Sequence, residues 1–249
     1  MPKPLMAALP LALCTVLALT ACSSTQAEMP DDETHKIAAQ GTASPSPSET
    51  SQEMTTAQVA TTAGAVIAAQ LGFPSSAKIQ GKDLEALATA PTDTLKDIVV
   101  LPAQCSAPIN DLNWSPVQMG TESARTDFTN ENQTITGSVE VAKLGEDGEA
   151  ALETHNANVA TILEKCQSVK LNGMDYTETL KFSDPKVAAA DSSLYYSRNG
   201  DYAQNSLVLI KKTSEYAVMV SFVSSTELSD TKFNEVATNV MNAAISQLP

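Results

Sequence analysis

The sequence predicts an α+β domain in which an antiparallel β-meander is packed by amphipathic helices. Three observations lead to this prediction. Apolar residues recur at helical spacing in some segments, they alternate with polar residues in others, and the dipeptide Asn199-Gly200 is a strong signal for a two-residue hairpin turn. The segments follow one another as helix, hairpin, helix, strands and helix, an order that is typical of layered α+β folds.

The first helix is predicted over residues 55–71. The stretch is rich in alanine and is followed by Gly72 and Pro74, which are typical stop signals. A short helical turn is predicted over residues 82–88. The apolar positions of the first helix are Val59, Val66, Ile67 and Leu71.

A β-hairpin and a second long helix come next. Polar and apolar side chains alternate over residues 134–141, which indicates a half-buried strand, and residues 117–128 are expected to pair with it through a turn at 130–132. Residues 149–166 return to helical spacing. The face of this middle helix is formed by Leu152, His155, Val159, Ile162, Leu163 and Cys166.

Five further strands are predicted before the last helix. They cover residues 169–171, 176–182, 194–196, 207–210 and 216–223. The last two are apolar on both faces, so we expect them to be central strands that are covered on both sides.

The chain closes with the clearest helix of the sequence. An apolar stripe runs through residues 233–248, and Ser229 or Asp230 is expected to be the N-cap. This amphipathic helix should lie on the sheet.

The N-terminus has the parts of a lipoprotein signal peptide. Lys3 precedes an apolar run at residues 5–19, which is shorter than the roughly 20 residues of a membrane span. The run leads into Leu-Thr-Ala-Cys at 19–22, a bacterial lipobox. We expect cleavage after residue 21 and a diacylglyceryl group on Cys22. The alternative is an ordinary secretory signal whose cleavage site lies beside a cysteine.

The predicted signal peptide therefore covers residues 1–21, a disordered Ser/Pro-rich tether residues 22–53, and one extracytoplasmic domain residues 54–249. The tether contains Ser-Pro-Ser-Pro-Ser and few apolar residues that could offset the entropy of ordering. The expected location is the outer face of the cell membrane, with the lipid anchor as the membrane contact. A formal charge of −14 argues against nucleic acid as a partner, since such binding needs clustered Lys and Arg.

Cys105 and Cys166 are predicted to form a disulfide. Cys14 leaves with the signal peptide and Cys22 carries the lipid, so two thiols remain outside the cytoplasm, where they most simply pair. The alternatives are a metal site, which needs further ligands at short spacing, and a redox pair, which usually has the form Cys-x-x-Cys. The sequence around these cysteines has neither pattern.

Four residues are candidates for ligand contacts, namely His155, Trp114, Tyr195 and Tyr196. His155 lies on the apolar stripe of the middle helix, where it is either a buried neutral side chain or a group that contacts a ligand beside the sheet. Trp114 lies in a Pro-flanked loop, and the two tyrosines lie near the predicted hairpin turn. Such aromatics either cap the edge of the core or line the mouth of a ligand site.

The sequence has no recognisable catalytic, cofactor or metal motif. A nucleophile elbow, a phosphate-binding Gly-rich loop and a His-Glu-x-x-His pair are all absent from it. Glu146, Asp147 and Glu149 are explained by the dipole at the start of the middle helix rather than by calcium. We therefore expect no enzyme, no cofactor and no metal. A hydrolase that uses His155 with a serine or a carboxylate is the least favoured alternative.

The arrangement resembles a known family. The lipobox, the Ser/Pro-rich tether, Pro-Ala-Gln-Cys at 102–105, the middle helix ending in Cys166, the meander and the last helix are similar to actinobacterial cell-envelope lipoproteins. Those lipoproteins are related to the extracellular sensor domain of the mycobacterial serine/threonine kinase PknH. The resemblance covers residues 80–249 and implies an α+β domain with a cleft for an unidentified ligand. The kinase sensor has two disulfides, so only the Cys105–Cys166 pairing is carried over to this chain.

The leading hypothesis is a non-enzymatic envelope lipoprotein whose domain binds or senses a small or envelope-derived ligand. The alternative is a structural or interaction module that docks a protein partner at the membrane. An exposed apolar patch formed by Val59, Val66 and Ile67 would favour that alternative.

Overall fold

The computed structural model describes residues 53–249, except 93, 114, 201–202 and 229–230. The predicted signal peptide, Cys22 and residues 22–52 of the predicted tether lie outside the described residues. So do Trp114 and both candidate N-caps of the last helix. None of the helices that the structure describes is long and apolar enough to cross a bilayer.

The described residues form an α+β domain with five α-helices and one nine-stranded antiparallel sheet, which confirms the predicted fold class. The helices are α1 (Thr56–Gln70), α2 (Lys82–Leu87), α3 (Ser106–Asn110), α4 (Glu146–Lys165) and α5 (Thr231–Ile245). The strands are β1 (Ser75–Ile79), β2 (Val99–Leu101), β3 (Gly120–Thr129), β4 (Ile135–Leu144), β5 (Ser168–Asn172), β6 (Thr177–Ser183), β7 (Ser192–Asn199), β8 (Gln204–Lys212) and β9 (Tyr216–Ser224).

The strand order is β1-β3-β4-β9-β8-β7-β6-β5-β2. Strands β5 to β9 form the predicted meander, because each pairs with the next in the chain. The predicted hairpin β3–β4 joins the meander through β9. Strands β8 and β9 lie at the centre, as their apolar residues on both faces predicted. The sequence analysis did not predict the two edge strands β1 and β2.

The helices cover opposite faces of the two halves of the sheet. Helices α1 and α5 pack together on one face of β3, β4 and β9, around Phe128, Val139 and Phe222. Helix α4 connects β4 to β5 and lies on the other face, where its residues Val159 and Ile162 join a second core with β5, β6 and β7. Strands β4, β7, β8 and β9 contribute buried residues to cores on both faces.

Small residues bring α1 close to α5 and β4. A Cβ atom at Gly64 would lie 3.2 Å from the Val139 side chain and 3.3 Å from the Val240 carbonyl oxygen. The larger residues Val59 and Val66 consequently point outward and are exposed. The buried face of the helix consists of Ala57, Ala60, Thr61, Gly64, Ala65 and Ala68.

The predicted disulfide between Cys105 and Cys166 is present, with an S–S distance of 2.05 Å. Both cysteines are buried. Cys105 immediately precedes α3, and Cys166 immediately follows α4. The bond therefore holds residues 94–113, which we call the α3 segment, against the C-terminal end of α4.

Removing the disulfide should destabilise the domain. The two cysteines are 61 residues apart, and the chain-entropy model assigns about 4 kcal/mol to closing a loop of that length. We expect the Cys105→Ala/Cys166→Ala variant to lose free energy of unfolding on this order in urea titrations followed by circular dichroism. Reduced wild-type protein should match the variant. A loss below about 1 kcal/mol would show that the bond does not constrain the unfolded chain.

Candidate ligand-binding cleft

A cleft of about 420 Å³ opens on the face of the sheet that carries α4. Its floor is formed by the central strands together with β7, and its walls are α4 and the α3 segment. Small-molecule sites have volumes of roughly 300–1,000 Å³, so the cleft is large enough for a small ligand.

The cleft exists because α4 covers only part of the central strands. On this face of β9, Ala217 and Met219 are buried in a cluster with Leu152 of α4. Two residues further along, Ser221 is half-buried and Val223 is 40% exposed. The expectation that β8 and β9 are covered on both sides is therefore met at one end of β9 and not at the other.

The floor of the cleft alternates between hydroxyl and apolar side chains. Ser206 of β8 lies opposite Val223 of β9, and Val208 lies opposite Ser221. Tyr196 of β7 lies opposite Ser206 on the other side of β8. This surface is more polar than a core, which is typical of a face that contacts a polar ligand or water.

One end of the cleft is apolar and continues into the core beneath α4. The rings of Phe182 and Tyr196 are 6.0 Å apart, centroid to centroid, and border this end. The apolar lining residues here are Ile109, Leu112, Leu171, Leu180, Phe182 and Leu194.

A hydrogen-bonded row of polar side chains crosses the floor. The Gln204 Nε2 group donates to Ser206 Oγ at 2.8 Å and to the Tyr196 hydroxyl at 3.4 Å. Both hydroxyls are acceptors in these bonds, and within the described part of the chain neither donates to another group. The hydroxyl of the half-buried Tyr196 can therefore donate to a ligand, whereas Ser206 is almost completely buried.

A buried ion pair forms another part of the cleft wall. Glu140 of β4 is fully buried opposite Arg125 of β3. Arg125 Nη1 donates to Glu140 Oε1 at 2.7 Å and its Nε donates to Asp127 Oδ1 at 2.6 Å, while the Ser115 hydroxyl donates to Glu140 Oε2. Burial raises the pKa of Glu140, although the charge of Arg125 opposes that shift. Removing Arg125 would leave a buried charge without compensation, at a typical cost of about 3–5 kcal/mol.

A second ion pair lies beside the hairpin turn. Arg198 Nε donates to Oε2 of Glu178, whose side chain is almost completely buried. Gly200, with a φ of +123°, lies against Glu178, and a Cβ atom at this glycine would be 2.9 Å from the glutamate Cγ. Arg125 and Arg198 are the two arginines of the 249-residue chain, and both line the same cleft.

His155 is buried on α4 and also lines the cleft. Burial lowers its pKa to about 4. The imidazole is therefore neutral at pH 7, as expected for a histidine on the apolar stripe of this helix.

The structure brings together two of the four candidate residues. His155 and Tyr196 both line the cleft. Tyr195 immediately precedes Tyr196 on β7 and therefore points to the opposite face of the sheet. There it belongs to the core under α1 and α5, and its hydroxyl donates to Asn205 Oδ1 at 2.8 Å. Trp114 lies outside the described residues.

The charged residues of the cleft were not predicted from the sequence. The alternating pattern places Glu140 on the polar side of a half-buried strand, whereas both faces of β4 are buried over most of its length. The sequence carried no signal that Arg125 and Arg198 share a site, because the pairing of distant strands places them there. Within the described ranges, no cluster of three or more His, Cys, Asp or Glu residues could hold a metal ion.

Protonation of His155 should make the domain less stable in mild acid. The histidine of the unfolded chain titrates near pH 6.5, whereas burial lowers its pKa to about 4 in the folded domain. Between these values the unfolded state binds more protons, so the free energy of unfolding falls as the pH falls from 6.5 to 4. The whole shift corresponds to roughly 3 kcal/mol.

The His155→Gln variant isolates this contribution, since glutamine gains no proton in this range. Its free energy of unfolding, measured in urea across the same pH range, should vary less with pH than that of the wild type. The raised pKa of Glu140 opposes the trend above pH 4.5 and does so in both proteins. Parallel pH profiles for the two proteins would contradict a neutral, buried His155.

The solved structures that match this chain include two mycobacterial proteins. The extracellular domain of PknH from Mycobacterium tuberculosis matches with a TM-score of 0.40 and 11% identity, over 69% of this chain and 83% of that one. An uncharacterised protein (Rv0999 ortholog) from Mycobacterium smegmatis matches with a TM-score of 0.44 and 15% identity, over 73% of this chain and 95% of that one. No protein-family model and no curated protein matches the sequence. These matches agree with the resemblance that the sequence indicated, and they are too distant to transfer a ligand or a site residue.

Proposed function

We propose that this protein is a non-enzymatic, extracytoplasmic lipoprotein that binds a small or envelope-derived ligand in the cleft beside α4. The observation that carries the proposal is the composition of that cleft. Both arginines of the chain, a neutral histidine, the Tyr196 hydroxyl and an apolar end line one cavity of about 420 Å³. Polar groups held at fixed positions beside an apolar surface are characteristic of small-molecule sites.

The disulfide supports a location outside the cytoplasm. Such bonds persist in oxidising compartments and are rare where thiols are kept reduced. The lipobox at residues 19–22 supplies the proposed anchor, since a diacylglyceryl group on Cys22 has the two acyl chains that stable membrane attachment requires.

The state of His155 supports a binding role over a hydrolase. A general base works best when its pKa lies near the operating pH, whereas burial lowers the pKa of His155 to about 4.

Filling the cleft should abolish ligand binding. We expect envelope lipid or glycan fractions to raise the melting temperature of the wild type and to leave that of Val208→Trp unchanged, because the added ring occupies the floor. Ser197→Trp is the matched control, since its position on β7 points to the opposite face of the sheet. If Val208→Trp proves unstable, Ser221→Leu serves the same purpose.

The melting-temperature measurement can contradict the proposal in two ways. A wild-type protein that no envelope fraction stabilises would remove the support for ligand binding. A shift that persists in a folded Val208→Trp protein would place the ligand elsewhere on the molecule.

A protein-interaction module is the second candidate, and an exposed surface on α1 favours it. Val66 is 52% exposed and Val59 is exposed beside it, while Ile67 packs against the core. These residues border a groove of about 440 Å³ between α1 and α5. A photo-crosslinking residue at position 66 should give one defined adduct in the cell envelope, and the same residue at the exposed position 181 should not. Equal labelling from both positions would remove this candidate.

A further inference from the structure

Both arginines of the cleft are paired with carboxylates. Arg125 is bonded to Asp127 and Glu140, and Arg198 is bonded to Glu178. The buried His155 adds no charge at neutral pH. Within the described residues, the charged groups at this site therefore carry no excess positive charge, and the chain as a whole is strongly acidic.

This pairing disfavours a charged ligand of either sign. An anionic head group would have to compete with buried carboxylates for Arg125 or Arg198, and it would approach a protein of net charge −14. A cationic head group would have to replace an arginine as the partner of a buried glutamate. The displaced arginine would then lack its own partner. A neutral head group disturbs neither ion pair.

The cleft nevertheless has hydrogen-bond donors for a neutral oxygen atom. The hydroxyls of Tyr196 and Ser206 accept from Gln204 and keep their own O–H groups. Arg125 has five N–H groups, of which two are used in the bonds to Asp127 and Glu140. Hydroxyl, ether and carbonyl oxygens are the uncharged acceptors that such donors bind.

Part of the lining is apolar and suits a hydrocarbon part of the ligand. Leu180, Phe182 and Leu194 lie at one end of the cleft, and Val208 and Met219 lie along its floor. The polar row formed by Tyr196, Gln204 and Ser206 adjoins this apolar surface, because Leu194 and Tyr196 occupy the same face of β7.

We infer that the cleft takes an uncharged amphipathic molecule, whose apolar part lies against Leu180, Phe182 and Leu194 and whose oxygen-bearing head group accepts from Tyr196. The inference rests on the proposed function, that this cleft binds a ligand, and adds the chemical class of that ligand. A glycolipid or an acylglycerol has this chemistry.

Three probes with one apolar chain and different head groups test the charge. They are octyl glucoside, octyl phosphate and octyltrimethylammonium, titrated calorimetrically into the full domain below their critical micelle concentrations. The neutral probe should bind at least about tenfold more tightly than either ion, which corresponds to about 1.4 kcal/mol. Its dissociation constant should not change with salt, since no net charge is neutralised on binding.

Two tyrosine variants test the position. Tyr196→Phe removes one hydroxyl from the cleft and should weaken binding of octyl glucoside by about fivefold, as expected for the loss of one hydrogen bond. Tyr195→Phe removes one hydroxyl from the neighbouring residue on the opposite face and should leave the dissociation constant unchanged. Circular dichroism would confirm that both variants are folded.

The results of these experiments distinguish the inferred ligand class from the proposed binding function. Tighter binding of octyl phosphate that weakens with salt would overturn the inference of a neutral ligand and leave the binding function standing. Equal effects of Tyr196→Phe and Tyr195→Phe would overturn the assigned head-group contacts. Failure of all three probes to bind at millimolar concentration would overturn the inferred ligand class, whereas the binding function is contradicted only if no envelope fraction stabilises the wild type.

Discussion

The packing of α4 against the face of the sheet opposite α1 and α5 is the constraint on which the cleft depends. Helix α4 connects β4 to β5. In this position it covers one end of β9 and leaves the region around Val223 open. The disulfide then fixes the α3 segment beside α4 as a second wall. A cavity in this position needs no separate structural element, since the two walls and the central strands already enclose it.

The buried ion pairs give the cleft its chemical character. Burying charged groups costs free energy that their mutual attraction only partly offsets, so such pairs are weak contributors to stability. Arg125 with Glu140 and Arg198 with Glu178 nevertheless lie at the one site to which the chain contributes both of its arginines. Because both arginines are already paired with carboxylates, the polar lining is fixed in place and has no unpaired arginine to attract an anion.

Most of the fold could be predicted from periodicity, whereas the site could be predicted only in part. The meander, the long helices and the disulfide follow from apolar spacing, the Asn199-Gly200 turn and the count of extracytoplasmic thiols. The edge strands were missed because β2 has only three residues and β1 lacks apolar alternation. The alternation of polar and apolar residues places Glu140 on the solvent-facing side of β4. A sequence pattern cannot reveal that α4 and the region of Ser115 cover that side of the strand. Similarly, adjacency in sequence grouped Tyr195 with Tyr196, although strand geometry sends them to opposite faces.

The most direct test of the account is a map of amide chemical shifts in isotope-labelled protein titrated with octyl glucoside. The account predicts that the perturbed amides cluster on β7, β8 and β9 around Tyr196, Ser206 and Ser221, and on α4 around His155. Perturbations confined to the groove between α1 and α5 would contradict it, because they would place the binding surface on the other face of the sheet.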